Sequence, residues 1–149
     1  MGRPLLLLGA LACCWAAAAC RQGAAPEDPP IVGVWFVRIP EAPFPYHLLT
    51  FHADGTVQQA NPDAGNAKTS DSNGMGAWVI AGDRIKGRFV EITADRTTRQ
   101  FVSRGDISFS VKVTGNTLSG TVHASFTDAA GRAAREPVEA TLSGERVLP

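Results

Sequence analysis

Ile107-Ser-Phe-Ser-Val-Lys-Val113 alternates apolar and polar residues without a fault, placing Ile107, Phe109, Val111 and Val113 on one face. Leu118, Gly120, Val122, Ala124 and Phe126 continue the device on the next run, against Ser119, Thr121, His123, Ser125 and Thr127. Val138, Ala140, Leu142, Gly144 and Arg146 repeat it near the end of the chain. Successive strand residues point to opposite sides, so a period of two marks strands with one wet and one buried face, hence an antiparallel sheet. No stretch after residue 19 carries the i, i+3, i+4 spacing of a long amphipathic helix.

Turn residues punctuate these runs at hairpin distances. Ala53-Asp54-Gly55, Ala81-Gly82-Asp83, Thr114-Gly115-Asn116 and Asp128-Ala-Ala-Gly131 supply the Gly, Asn and Asp that accept the positive φ of tight hairpins. Eight strands are predicted, over residues 31–37, 47–51, 56–60, 76–80, 84–92, 100–112, 117–127 and 136–146. A Greek-key sandwich needs long crossovers, and only the link from Gln59 to Gly74 is long. A closed up-and-down barrel removes exposed edges, which suits a chain with few charged edge residues. The expectation is therefore an all-β, eight-stranded antiparallel barrel.

The start of the chain reads as an export signal. Arg3 is followed by Leu5 to Ala19, a run without a charge, and Ala17-Ala18-Ala19 puts small residues directly before Cys20. Fifteen apolar residues rise only ~22 Å as a helix, short of a ~30 Å hydrocarbon core, so the segment reads as a removable leader. The domain plan is a signal peptide over 1–19, an anchor cysteine and flexible tether over 20–30, and a barrel over 31–149. All three cysteines, Cys13, Cys14 and Cys20, fall in the first twenty residues, so no disulfide can form within 21–149.

Charge excludes one class of partner. The chain carries 14 basic and 14 acidic residues, and loss of Arg3 with the leader leaves 13 against 14, a net charge of −1. No segment has the clustered Lys and Arg that phosphate neutralisation needs, so no nucleic-acid partner is expected.

Three resemblances narrow the reading. The run from Leu11 to Cys20 resembles a bacterial lipoprotein signal, in which the cysteine becomes the lipid-bearing first residue; Ala17 stands where that pattern usually has Leu. Ordinary A-x-A cleavage is the alternative. Gly33-Val34-Trp35 on the first strand and Arg146 on the last resemble the lipocalin (calycin) barrels, where that arginine lies across the tryptophan at the closed end. Pro43-Phe44-Pro45, the hairpin from Leu48 to Val57, and Gly74-Met75-Gly76-Ala77-Trp78 are similar to a family of small, mostly uncharacterised bacterial secreted barrels. Met75 stands where those usually have His. The resemblance implies an extracytoplasmic barrel and no established reaction.

Candidate sites are few. His47 and His52, with Asp54, are five residues apart and face opposite sides of a strand, so a shared metal needs the loop to fold back. His123 lies on the polar face. Asn61 to Gly74 holds Asp63, Asp71 and Asn73, but Thr69 and Ile80 occupy the key ligand positions of a calcium loop, so disorder or a flexible lid over the barrel mouth, with few hydrogen bonds, is expected there. Arg104-Gly105-Asp106 spells an adhesion tripeptide inside a strand, where it reads as chance. No nucleophile elbow, phosphate loop or zinc-protease motif occurs.

The inward-facing set, apolar except for Arg146, carries no visible catalyst. Leu118, Gly120, Val122, Ala124, Ala140 and Leu142 are the expected lumen lining, and their small members either leave room for one ligand or accommodate aromatic rings from the opposite wall. The expectation is a non-enzymatic envelope lipoprotein, lipid-anchored at Cys20 on the periplasmic or outer surface, or otherwise secreted. It would bind a small hydrophobic ligand or an envelope partner and need no cofactor or metal. The alternatives are a barrel isomerase or cyclase resembling allene oxide cyclase, and a protein-binding module with a filled core.

Overall fold

A computed structural model describes residues 28–63 and 65–149. The leader, Cys20 and the first part of the tether lie outside the described residues. Among the described residues nine strands run β1 (Gly33–Arg38), β2 (Tyr46–Phe51), β3 (Thr56–Ala60), β4 (Thr69–Asp71), β5 (Gly74–Ala81), β6 (Arg84–Asp95), β7 (Phe101–Thr114), β8 (Thr117–Thr127) and β9 (Ala133–Arg146). All pairings are antiparallel, and β4 and β5 share one lane beside β6: Thr69–Asp71 face Asp95–Thr93, and Met75–Ala81 face Val90–Arg84. Nine strands thus make eight lanes. Pairing of β6 with β7 and of β1 with β9 closes the sheet into an up-and-down barrel consistent with a lipocalin-like fold.

The two ends differ. Tight turns at 52–55, 82–83 and 115–116 close one end, whereas the longer links 39–45, 61–68, 96–100 and 128–132 surround the other. The closed half is filled. Trp35 and Ile31 are fully buried, and Phe51 meets Trp78 and Phe109 edge to face at centroid distances of 6.3 and 5.7 Å. Such pairs add ~0.5–1.5 kcal/mol beyond the area they bury.

Trp35 and Arg146 form the seal. They are direct partners across β1 and β9, and the guanidinium carbon stands 4.4 Å from the indole centroid. Trp35 Nε1 donates to the Ile31 carbonyl at 2.8 Å. Arg146 donates to the Val32 carbonyl at 2.6 Å and also to that of Pro30, tying the segment before β1 across the closed end. Gly33 has φ of +129°, and a Cβ there would lie 2.8 Å from Arg146 Nη1, so the G-x-W spacing makes room for the arginine as well as for the turn of the chain. Arg146→Ala should cost ~1–2 kcal/mol in urea unfolding, since both carbonyls lie near solvent and water replaces part of what is lost. Arg146→Lys should recover less than half, because lysine has no planar group to stack while donating twice. Full recovery by lysine would show that the seal is only a charge.

The link between β3 and β5 departs from the flexible lid expected over 61–73. Asp63 organises it: its carboxylate accepts from the Asp71 N–H at 3.0 Å and the Ser70 hydroxyl at 3.2 Å, and pairs with Arg96 at 2.8 Å. Ser72 is bonded both ways to the Ile92 backbone. The acidic and amide side chains there satisfy backbone donors and draw β4 onto β6.

Candidate functional site

The open half of the barrel holds a cavity of about 440 Å³. Its walls are apolar, with Phe89, Ile107, Val122, Ala124, Phe126, Val138 and Ala140 among the lining residues, and the loop residues Pro43 and Phe44 stand at its mouth. Of the expected lining, Val122, Ala124 and Ala140 border this space, whereas Leu142 borders a narrow crevice beneath it. Leu118 belongs to the packed closed half. Gly120 serves packing: a Cβ there would fall 2.0 Å from the Ser110 carbonyl oxygen, so its lack of a side chain lets β7 and β8 approach. Of the small inward residues, Ala124 and Ala140 thus leave room for a ligand, while Gly120 admits the neighbouring strand rather than a ring from the opposite wall.

The lumen is not apolar apart from Arg146; that expectation is corrected by two polar groupings. The first lies at the floor. His47, on β2, and Gln59, on β3, face inward, and Gln59 Nε2 meets His47 Nδ1 at 2.9 Å. Gln59 is only 5% exposed, and neither its Oε1 nor His47 Nε2 has a hydrogen-bond partner in bonding geometry. Burial holds the His47 imidazole below its ordinary pKa, against a weaker opposite effect of the Phe44 backbone.

The second grouping lines the upper wall. Glu91 and Thr93 follow Phe89 on the inner face of β6, Asp71 comes from β4, and Arg135 reaches over from β9. Asp71 accepts from the Thr93 hydroxyl at 2.6 Å, and the Arg135 guanidinium carbon lies 3.3 Å from the Phe126 ring centroid. Burial pushes the Glu91 carboxyl up to about 7, with the Asp71 charge adding to the rise, while Arg135 and a hydrogen bond from Asn61 pull it down. Gly105 leaves the space for this carboxyl, since a Cβ there would stand 2.9 Å from Glu91 Cγ and 2.8 Å from Phe126. Within Arg104-Gly105-Asp106, Asp106 is itself bound to Arg88 and to Arg104, so the tripeptide is sheet structure.

The remaining histidines are peripheral. His52 sits in the β2–β3 turn, where its carbonyl accepts from Trp78 Nε1, and Asp54 bonds Thr56 rather than a histidine. His123 is on the outer face, 3.7 Å from Glu139. Among the described residues no group of three or more His, Cys, Asp or Glu side chains is placed to hold a metal ion. The outer face of β1 and β2 carries a separate apolar strip: Val34, Phe36, Tyr46 and Leu48 are all exposed, and Phe36 stacks on Tyr46 at 5.6 Å. The comparisons add no relative to this geometry: no family model matches the chain, and no match was found among curated proteins or solved structures.

Proposed function

We propose that this chain is an extracytoplasmic, lipid-anchored barrel of the bacterial cell envelope, without catalytic activity, that holds one small and largely apolar molecule in its lumen. The observation that carries the reading is the half-filled interior. Its closed half is packed with aromatic and branched side chains, yet about 440 Å³ above them stays open, with largely apolar walls and two polar groupings. Sites for small ligands run from roughly 300 to 1,000 Å³ and combine such walls with a few polar groups. A filled core, as a purely protein-binding module would have, leaves the open half unexplained. The test is to fill it. Ala124→Phe should lower the affinity for the neutral fluorophore Nile red at least tenfold while the far-ultraviolet circular dichroism stays unchanged. Undiminished Nile red binding would remove the lumen as the site.

Anchoring rests on the Leu11–Cys20 pattern and is tested separately. Cys20→Ser should move the mature protein from the detergent to the aqueous phase; a wild-type product already wholly aqueous defeats the lipoprotein reading. Binding of an envelope partner has its own support in the exposed strip of Val34, Phe36, Tyr46 and Leu48.

A barrel isomerase is favoured by one observation, the inward Glu91 with its carboxyl at about 7 beside Arg135. An acid that ionises near neutral pH is suited to moving a proton to and from a bound carbonyl compound. On that reading, methyl octyl ketone incubated in heavy water should gain deuterium beside its carbonyl with the wild type and not with Glu91→Gln. No wild-type exchange leaves the binding reading alone.

A further inference from the structure

We propose that the floor of the lumen recognises an uncharged ligand group able to donate and accept a hydrogen bond at once, an alcohol or a primary amide at the buried end of the molecule. This rests on the ligand-holding reading above and adds the chemistry of the inner end.

The Gln59–His47 contact defines what is missing. With the amide as it stands, Gln59 Nε2–H donates to His47 Nδ1 and the ring proton sits on Nε2; the flipped amide with the other tautomer again leaves one donor and one acceptor on the same two side chains. That leaves a donor, His47 Nε2–H, and an acceptor, Gln59 Oε1, both buried and neither with a partner in bonding geometry, the Phe44 backbone near the imidazole acting on it only weakly. Buried polar atoms are nearly always paired, so two of opposite character on residues that line the base of one cavity describe the group that would complete them, the side chains turning to meet it. A hydroxyl serves both, as does a primary amide. A ketone or ether accepts from Nε2–H and leaves Oε1 as it was.

The requirement for an uncharged group comes from the surroundings. Burial keeps His47 neutral, so the floor offers no cation to an ionised carboxylate. Nor does the mouth favour an anion, because among the described residues Glu41 and Asp71, with Glu91 partly ionised near neutral pH, line the cavity against the guanidinium of Arg135. In size, about 440 Å³ lies within the roughly 300–1,000 Å³ of sites that take one small molecule.

Displacement of Nile red from the purified protein by decanol, decanamide, methyl octyl ketone and decanoate tests the proposal. Decanol and decanamide should bind about tenfold tighter than the ketone, about 1.4 kcal/mol, with decanoate weakest. Gln59→Met, close in shape but without the amide, should abolish the advantage of decanol while keeping the affinity for the ketone. If that variant does not fold, the wild-type order decides alone. Equal affinities for decanol and the ketone overturn the floor proposal and leave the lumen as a ligand site. Tightest binding of decanoate also overturns it, pointing to Arg135 instead. Failure of every probe, and of Nile red itself, overturns the ligand-holding reading with it.

Discussion

Trp35→Ala should destabilise the domain by ~3–5 kcal/mol, the largest loss expected of any single change at the closed end. Three effects act together. Trp35 is wholly buried, so its removal leaves a void that only partial collapse can fill. The Ile31 carbonyl loses its 2.8 Å donor, and Arg146 loses the ring it covers. The seam it supports is also short: β1 meets β9 over four partners, Trp35–Arg146 to Arg38–Ser143, against ten for β6 on β7. Domains have only ~5–15 kcal/mol in total, so this is a fifth or more of the whole. Urea unfolding at unchanged m-value measures it, and Trp35→Phe should cost clearly less because most of the ring volume returns. A loss below ~1 kcal/mol would mean that the closed end is held by the backbone seam alone. Because the cavity lies at the other end, the fraction of Trp35→Ala that remains folded should bind Nile red as the wild type does.

The strands were legible because one face of the barrel is buried throughout its closed half. Ile107, Phe109 and Val111 are 6%, 5% and 1% exposed, as their alternation with Ser and Lys requires. Arg146 was legible too, because its parity with Ala140 and Leu142 forced it inward beside the first strand. Near the mouth the same logic inverts. Val90 and Ile92 look like the inner residues of β6, yet Ile92 is 52% exposed and Glu91 faces the lumen. The signal that could have found Glu91 is continuity of register: β6 pairs with β7 without interruption from Ile85 to Thr93, so burial of Phe89 carries Glu91 and Thr93 inward with it. Hydropathy alone misleads there because Glu91 and Thr93 face the lumen while Ile92 faces outward. The short β4 was hidden for a different reason. Its Thr69-Ser70-Asp71 reads as turn chemistry, and what makes it a strand is a distant partner, Thr93 to Asp95, together with Asp63.

That inward carboxyl sets the second large effect, a dependence of stability on pH that runs opposite to the usual acid behaviour. The Glu91 pKa rises from 4.5 to about 7 on folding, so between these values the folded protein holds a proton that the unfolded chain has released. Stability contributed by this group is therefore intact below 4.5, falls as pH rises through the window, and is fully lost above about 7. At ~1.4 kcal/mol per pH unit the whole rise is worth about 3 kcal/mol, and water entering the open cavity trims it to about 2–3 kcal/mol. His47 works in the other direction, since its lowered pKa removes stability as pH falls. The carboxylates held low by hydrogen bonds, Asp63 and Asp95 among them, likewise lose stability only in acid. The difference between wild type and Glu91→Gln cancels these contributions, because glutamine keeps the shape and the Asn61 neighbour but cannot ionise. The variant should match the wild type below 4.5 and exceed it by about 2–3 kcal/mol above 7, by urea unfolding across the range. A flat difference curve would place the Glu91 carboxyl in water. Arg135→Gln should enlarge the effect, since it removes the cation that pulls the Glu91 pKa down while leaving the Asp71 charge in place.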